Sequence, residues 1–188
     1  PLSNIAVAYS MKGNIDEAIK ALRQALVISP NYPEAYNNLG SLLTQKGELD
    51  EAEYSLHQAI ELRGHYGKAY FNLARLAEIQ KKPDKIWEYL KKASEGDLDQ
   101  APDIFIKLGL ISLQLSKHDC AIDSFKKAIE LGNNFPTTLF SLANGYFLAK
   151  DFDNSEVIYK KLVQDFPNDH RFAHNLAETY FSKKEYSK

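Results

Sequence analysis

Apolar residues recur along the chain with the period of an amphipathic helix. Between residues 33 and 43 the apolar or small residues follow the spacing i, i+3, i+4, i+7 and are Tyr36, Leu39, Gly40 and Leu43. Gly47 interrupts this pattern, and a second helical stripe runs from Leu49 to Leu62. The stretch 33–66 therefore predicts two helices joined by a tight turn.

The same two-helix pattern recurs about every 34 residues. It predicts helix pairs at 1–12 and 16–29, 33–45 and 49–62, 67–80 and 84–95, 102–115 and 119–131, and 136–149 and 153–165, then a last helix at 170–182. One position of the first helix is small in every copy: Ala6, Gly40, Ala74, Gly109, Ala143 and Ala177. Because helix backbones approach closely only where side chains are small, this position predicts the contact with the second helix.

A 34-residue helix–turn–helix period with these large and small positions resembles the tetratricopeptide repeat family. The resemblance covers essentially the whole chain and implies an all-α fold, a right-handed solenoid of tandem repeats. We predict a single solenoid over residues 1–188, with repeats at about 1–32, 33–66, 67–101, 102–135 and 136–169 and a partial repeat at 170–188. Lys81, Ser116 and Lys150 replace the turn glycine in three repeats.

The two ends of the sequence lack the polar capping elements that normally close a solenoid. The sequence begins at Pro1, part-way into a first helix, and its last helix carries Ala177 and Tyr180 with no second helix to follow. We therefore expect a segment of a longer repeat protein. Self-association through the uncapped terminal helix is an open alternative.

Composition narrows the classes of function. The net charge of −2 argues against a nucleic-acid partner, which requires a concentrated positive field. No apolar run reaches the roughly 18 residues of a membrane-spanning helix, so we predict no membrane insertion. The single cysteine, Cys120, excludes an internal disulfide and is compatible with a reducing, cytoplasmic location.

Residues with catalytic chemistry are sparse. His170 and His174 have the i, i+4 spacing of two metal ligands, but no third ligand follows at a recognisable spacing. The sequence contains no serine elbow, phosphate-binding glycine loop or paired-carboxylate motif. We therefore predict no catalytic residue, no metal and no cofactor in this segment, and a catalytic domain elsewhere in the parent chain stays an alternative.

The family resemblance implies that the first helices line a concave face to which a protein or peptide binds. The position before the recurring Ile or Leu of the first helix is polar in each copy: Asn4, Asn38, Asn72, Lys107, Ser141 and Asn175. A row of carboxamides both donates and accepts hydrogen bonds, so it can hold the backbone of an extended peptide. At Asn4, Asn38, Asn72 and Asn175 the row resembles the asparagine ladder of O-linked N-acetylglucosamine transferases, whereas Lys107 and Ser141 interrupt it. Alternatively, these side chains face solvent or bond the neighbouring repeat.

A second pattern divides the same predicted face into a polar and an apolar half. Earlier copies place mainly polar residues there, namely Asn37, Ser41, Thr44, Phe71, Arg75 and Glu78. Later copies place mainly apolar residues there, namely Ile106, Leu110, Leu113, Phe140, Asn144, Phe147 and Phe181. Exposed apolar clusters mark partner sites. The alternative is that some of these side chains pack between successive first helices.

The family also contains a carboxylate clamp that binds chaperone C-termini through basic residues of the first helices. Asn38 and Lys68 fit parts of that pattern. Ser3 and Asn72 stand where the clamp has Lys and Arg, which argues against this activity.

We therefore predict a protein–protein interaction scaffold that binds a peptide or protein segment along its concave face. The predicted contacts are Asn4, Asn37, Asn38, Lys68, Asn72, Arg75, Ile106, Lys107, Leu110, Phe140, Asn144, Phe147 and Asn175. Asn38 and Asn72 would hold the peptide backbone, and Phe140 and Phe147 would anchor apolar side chains. The alternative is the substrate-recruiting arm of a larger enzyme such as a glycosyltransferase.

Overall fold

The computed structural model describes residues 2–98 and 101–186, with the side chains of 5–98 and 101–185. All regular secondary structure within these residues is α-helical. The chain divides into two compact units, Pro1–Asp99 and Gln100–Lys188. A single solenoid over all 188 residues stays a prediction. In the described part of the chain, no helix combines the length and the apolar character needed to cross a membrane.

The first unit consists of three helical hairpins in tandem. Its helices are α1 (Leu2–Met11), α2 (Ile15–Ile28), α3 (Pro33–Lys46), α4 (Leu49–Arg63), α5 (Gly67–Ile79) and α6 (Pro83–Ser94). Each odd-numbered helix packs against the even-numbered helix that follows it, and α2 and α4 also pack against the next hairpin. Leu22, Leu43 and Leu56 are fully buried between these helices.

The second unit consists of two hairpins and one further helix. Its helices are α7 (Pro102–Gln114), α8 (His118–Glu130), α9 (Pro136–Leu148), α10 (Phe152–Asp165) and α11 (His170–Tyr186). Helix α11 has the position of a first helix and packs against α10. Phe125, Tyr159 and Leu162 are the large side chains that are completely or almost completely buried here.

The structure confirms the predicted all-α class and the helix boundaries. Both ends of α1 to α10 lie within one residue of the sequence-based bounds, whereas α11 continues to Tyr186. Prolines occupy the first position of four helices, where the missing N–H costs no hydrogen bond. These residues are Pro33, Pro83, Pro102 and Pro136.

The recurring small residue lies where the two helices of a hairpin approach each other. A Cβ atom on Gly40 would lie 2.6 Å from Cγ of Leu56, and one on Gly109 would lie 2.6 Å from Cε1 of Phe125. The corresponding Ala177 of α11 is exposed, because no second helix follows it in the described residues. The small residue thus serves the contact within the hairpin, as the sequence predicts.

The turn inside each hairpin keeps a left-handed backbone even where glycine is replaced. Gly13 and Gly47 have φ values of 78° and 90°, and Lys81, Ser116 and Lys150 have φ values of 56°, 56° and 64°. A residue with a Cβ atom is strained in this region, whereas glycine is not. The three non-glycine turns therefore carry a small cost in stability without a change of fold.

Candidate functional site

The predicted ladder position has the same environment in every repeat where its side chain is described. Asn38, Asn72, Lys107, Ser141 and Asn175 are all half-buried. The side chain of Asn4 lies outside the described residues. Within each unit, half-burial at this position fits a shallow groove, since a core position would be covered and a ridge position would be exposed.

Three asparagines of the first unit form a chain of hydrogen bonds. Nδ2 of Asn72 donates to Oδ1 of Asn37 over 2.9 Å, and Nδ2 of Asn37 donates to Oδ1 of Asn38 over 3.4 Å. Asn37 is only 7% exposed, so its assignment as a contact residue of the groove surface is corrected: it is a buried bridge between α3 and α5. Asn72 does bond the neighbouring repeat, as one of the two interpretations of the sequence proposed.

The hydrogen bonds of this bridge leave one donor and one acceptor of the asparagine side chains available to a ligand. Among the described residues, Nδ2 of Asn38 and Oδ1 of Asn72 have no hydrogen-bond partner. One is a donor and the other an acceptor, and a peptide backbone presents the complementary pair, a C=O and an N–H. The two groups are held by the buried amide of Asn37, so little side-chain freedom remains to be lost on binding.

Basic residues lie on the same first helix as Asn72. The side chains of Lys68 and Arg75 are both exposed and are seven residues apart on α5, which places them two turns apart on one side. The backbone N–H of Lys68 donates to Oδ1 of Asp97 over 3.1 Å, and this bond fixes the start of the helix. The side chains of this pair add positive charge to the candidate groove.

A cavity of about 160 Å³ lies between α1 and α3. It is lined by Ala6, Val7, Ser10, Met11, Leu22, Asn38, Ser41 and Leu42. Val7 and Met11 are 46% and 85% exposed, so the first unit also offers apolar surface. These two residues were not predicted as contacts, although their i, i+4 spacing on the first helix is typical of one helix face.

A larger cavity of about 410 Å³ lies between α9 and α11 in the second unit. It is lined by Phe147, His174, Ala177, Glu178, Phe181 and Ser182. Phe147 and Phe181 were predicted for the apolar half of the groove. The remaining residues were not predicted as contacts, although His174, Glu178 and Phe181 share one face of α11 at the spacing i, i+4, i+7.

Phe140 does not have the environment of an anchor for a ligand. Its half-buried ring lies 5.9 Å from the ring of Tyr159 and 5.6 Å from that of Phe172, and it packs on the core shared by α9, α10 and α11. The interpretation that some apolar residues pack between first helices therefore applies to Phe140. Of the other predicted contacts in this unit, Ile106 and Asn144 are half-buried and Leu110 is 49% exposed.

Four stretches of the chain match models of one repeat family. Residues 6–44 match a model described as TPR repeat, and residues 34–65, 102–134 and 137–169 match models described as tetratricopeptide repeat. The repeats are tetratricopeptide repeats (TPRs). Every helix of the described residues follows this two-helix period.

A curated protein and several solved structures are similar to this TPR segment. The type IV pilus assembly protein PilF of Pseudomonas aeruginosa is 24% identical over 161 residues, which are 85% of this chain and 64% of PilF. The chain therefore spans less than two thirds of that relative. The crystal structure of MamA has a TM-score of 0.71 at 24% identity, with 90% of this chain and 92% of MamA covered.

The crystal structure of YrrB, described as a TPR protein with an unusual peptide-binding site, also has a TM-score of 0.71. Its sequence identity is 17%, and the match covers 93% of this chain and 90% of YrrB. At these identities the similarity shows a shared fold.

Proposed function

We propose that this TPR segment is a protein-interaction scaffold that binds an extended protein segment on the face formed by its first helices. The observation that carries the proposal is the chain of amides from Asn38 through Asn37 to Asn72. It presents one donor and one acceptor, and Asn38 also lines the cavity between α1 and α3. Such a pair can hydrogen-bond the C=O and N–H groups of a peptide backbone, which are the same whatever the peptide's side chains are.

Asn38 and Asn72 have complementary roles in this proposal. Nδ2 of Asn38 donates to a backbone carbonyl of the bound segment, and Oδ1 of Asn72 accepts from a backbone N–H. Val7 and Met11 of α1 contact apolar side chains of the same segment through the neighbouring cavity. Backbone hydrogen bonds supply affinity, while the cavity supplies preference among side chains.

The second unit contributes contacts of a different kind. Its cavity between α9 and α11 has Phe147 and Phe181 in its lining and takes the anchoring role that the sequence analysis gave to Phe140 and Phe147. The asparagine-ladder resemblance extends to Asn175, which is half-buried on α11. Three expectations from the sequence stay predictions. They are a cytoplasmic location, self-association through α11, and the alternative that this segment is the substrate-recruiting arm of a larger enzyme.

A peptide-array binding screen tests the proposal. We compare the wild type with the double variant Asn38→Ala, Asn72→Ala, and use Gln24→Ala, Gln58→Ala as a control that removes two carboxamides from the second helices α2 and α4. The proposal predicts that the first variant loses all bound peptides to a similar degree and that the control keeps them. Unchanged binding by the Asn38, Asn72 variant would overturn the proposal.

A second variant separates binding from folding. Asn38→Asp keeps an oxygen that accepts from Nδ2 of Asn37 but removes the donor that would hold a peptide carbonyl. We expect this variant to unfold at nearly the same temperature as the wild type and to bind the peptides of the array more weakly. Full binding by Asn38→Asp would exclude a donor role for Asn38.

A further inference from the structure

The cavity between α9 and α11 combines aromatic surface with a carboxylate. We propose that this cavity binds a basic side chain of the partner segment, above all an arginine. The inference rests on the proposed function and specifies which side chain the second unit recognises.

The aromatic rings offer faces to a cation. Phe181 is 69% exposed, so a ligand reaches its ring without any rearrangement of the core. Phe147 is half-buried, and its ring is held 5.6 Å from the ring of Phe152 in an edge-to-face contact. A cation is attracted to an aromatic face within about 6 Å of the ring centroid, and arginine makes this contact more often than lysine.

The carboxylate of Glu178 has fewer basic partners than the carboxylate of Glu156. Glu156 is contacted by Nζ of Lys160 at 2.6 Å and by Nζ of Lys183 at 2.8 Å. By contrast, the contact that the described structure gives Glu178 is Nε2 of His174, at 3.6 Å, and an imidazole is positively charged only when it is protonated. Glu178 is 54% exposed at the side chain and lines the cavity, so its negative charge is available to a ligand.

The shape of the cavity suits a long side chain with a charged end. Its volume of about 410 Å³ accommodates an arginine together with part of the peptide backbone. The alkyl part of an arginine can pack against the exposed ring of Phe181, and the carboxylate of Glu178 can accept two parallel N–H bonds from its guanidinium. A leucine in the same place would make no charged contact with this carboxylate.

Small amino-acid probes and NMR spectroscopy test this inference on the full chain. N-acetyl-arginine amide and N-acetyl-leucine amide are titrated separately into the ¹⁵N-labelled protein. We expect the arginine probe to shift the amide resonances of Phe147 and residues 174–182, and to do so at lower concentration than the leucine probe. Equal affinity for both probes would overturn the inference, because the site would then be merely apolar.

Two variants and one control assign the effect to named side chains. Glu178→Gln is expected to weaken the arginine probe about fivefold, and Phe181→Leu about threefold, with little effect on the leucine probe. The control Glu130→Gln removes the same charge from α8, outside the cavity. If Glu178→Gln leaves the arginine affinity unchanged, or if Glu130→Gln lowers it equally, the assignment is wrong.

The peptide array distinguishes this inference from the proposed function. If peptides bind without any preference for a basic residue and the arginine probe shifts no resonance, the inference fails and the scaffold function stands. If no peptide binds, the scaffold function fails, even if the arginine probe binds to the cavity.

Discussion

The side-chain amide of Asn72 donates a 2.9 Å hydrogen bond to Oδ1 of Asn37, which lies 35 positions earlier in the preceding first helix. Asn37 is nearly buried, so this bond joins α3 and α5 inside the first unit. Asparagine is a poor residue for the interior of a helix. Here it both ties two repeats together and orients the amides that face the groove.

Removal of the bridge should lower stability. In Asn72→Ala, Oδ1 of the buried Asn37 loses its donor, which should reduce the free energy of unfolding by about 1–3 kcal/mol. A double-mutant cycle with Asn37→Ala, followed by urea unfolding, should give a coupling free energy of about 1 kcal/mol. Strictly additive single effects would show that the two amides do not interact in solution.

The hairpin contact should not tolerate a methyl group at Gly40. A Cβ atom there would lie 2.6 Å from Cγ of Leu56 and 3.0 Å from the backbone oxygen of Ala52. Because the backbone cannot yield easily, Gly40→Ala should cost about 1–3 kcal/mol in urea unfolding.

Gly145→Ala is the matched control for this substitution. Gly145 is also a buried helical glycine, but its Cβ would meet Cγ1 of Ile122 at 3.3 Å, and alanine favours the helix. We expect its urea midpoint to change much less than that of Gly40→Ala. Equal losses for the two variants would contradict the assigned role of the small position.

The strained turn at Ser116 should accept glycine with a gain in stability. Its φ value of 56° lies in the left-handed region, so Ser116→Gly should raise the free energy of unfolding by about 0.5–1 kcal/mol. Gly47→Ala places a Cβ atom on a residue with a φ value of 90° and should lower the free energy of unfolding. Thermal unfolding of both variants measures this, and a destabilised Ser116→Gly would contradict the expectation.

The junction of α10 and α11 should weaken in acid. Lys160 and Lys183 hydrogen-bond the carboxylate of Glu156 and lower its pKa to about 2, whereas a glutamate in an unfolded chain titrates near 4.3. The folded state therefore gains stability from this carboxylate above about pH 4.5 and loses that gain as the pH falls towards 2.

Thermal unfolding between pH 6 and pH 2.5 measures this contribution. Glu156→Gln should have a lower Tm than the wild type at pH 6, and the difference between the two should shrink on acidification. A Tm difference that is independent of pH would exclude an ionic role for Glu156. Glu130→Gln, which alters a carboxylate on α8, serves as the control for a general charge effect.

The sequence predicted the helices well because two independent signals agree in each repeat. The apolar stripes and the small positions such as Gly40 recur in phase. The turns at Lys81 and Ser116 could be located only through the repeat, since neither residue favours a left-handed backbone by itself. The repeat period thus located turns that the conformational preference of the single residues would not predict.

The individual site residues were harder to predict because their environment depends on the neighbouring repeat. The burial of Asn37 follows from its bond to Asn72, and no pattern within one repeat encodes that pair. Helix α9 carries apolar residues on most of its circumference, so periodicity did not separate Phe140, which packs in the core, from Phe147, which lines a cavity. Only the packed structure distinguishes these two roles.

Site-specific photo-crosslinking tests most directly whether the partner segment lies on the first helices. We place p-benzoylphenylalanine at Val7 of α1, which lines the cavity beside Asn38, or at the exposed Tyr54 of α4 on a second helix. With the tightest-binding peptide of the array, the account predicts a crosslink from position 7 and none from position 54. A crosslink from position 54 without one from position 7 would contradict it.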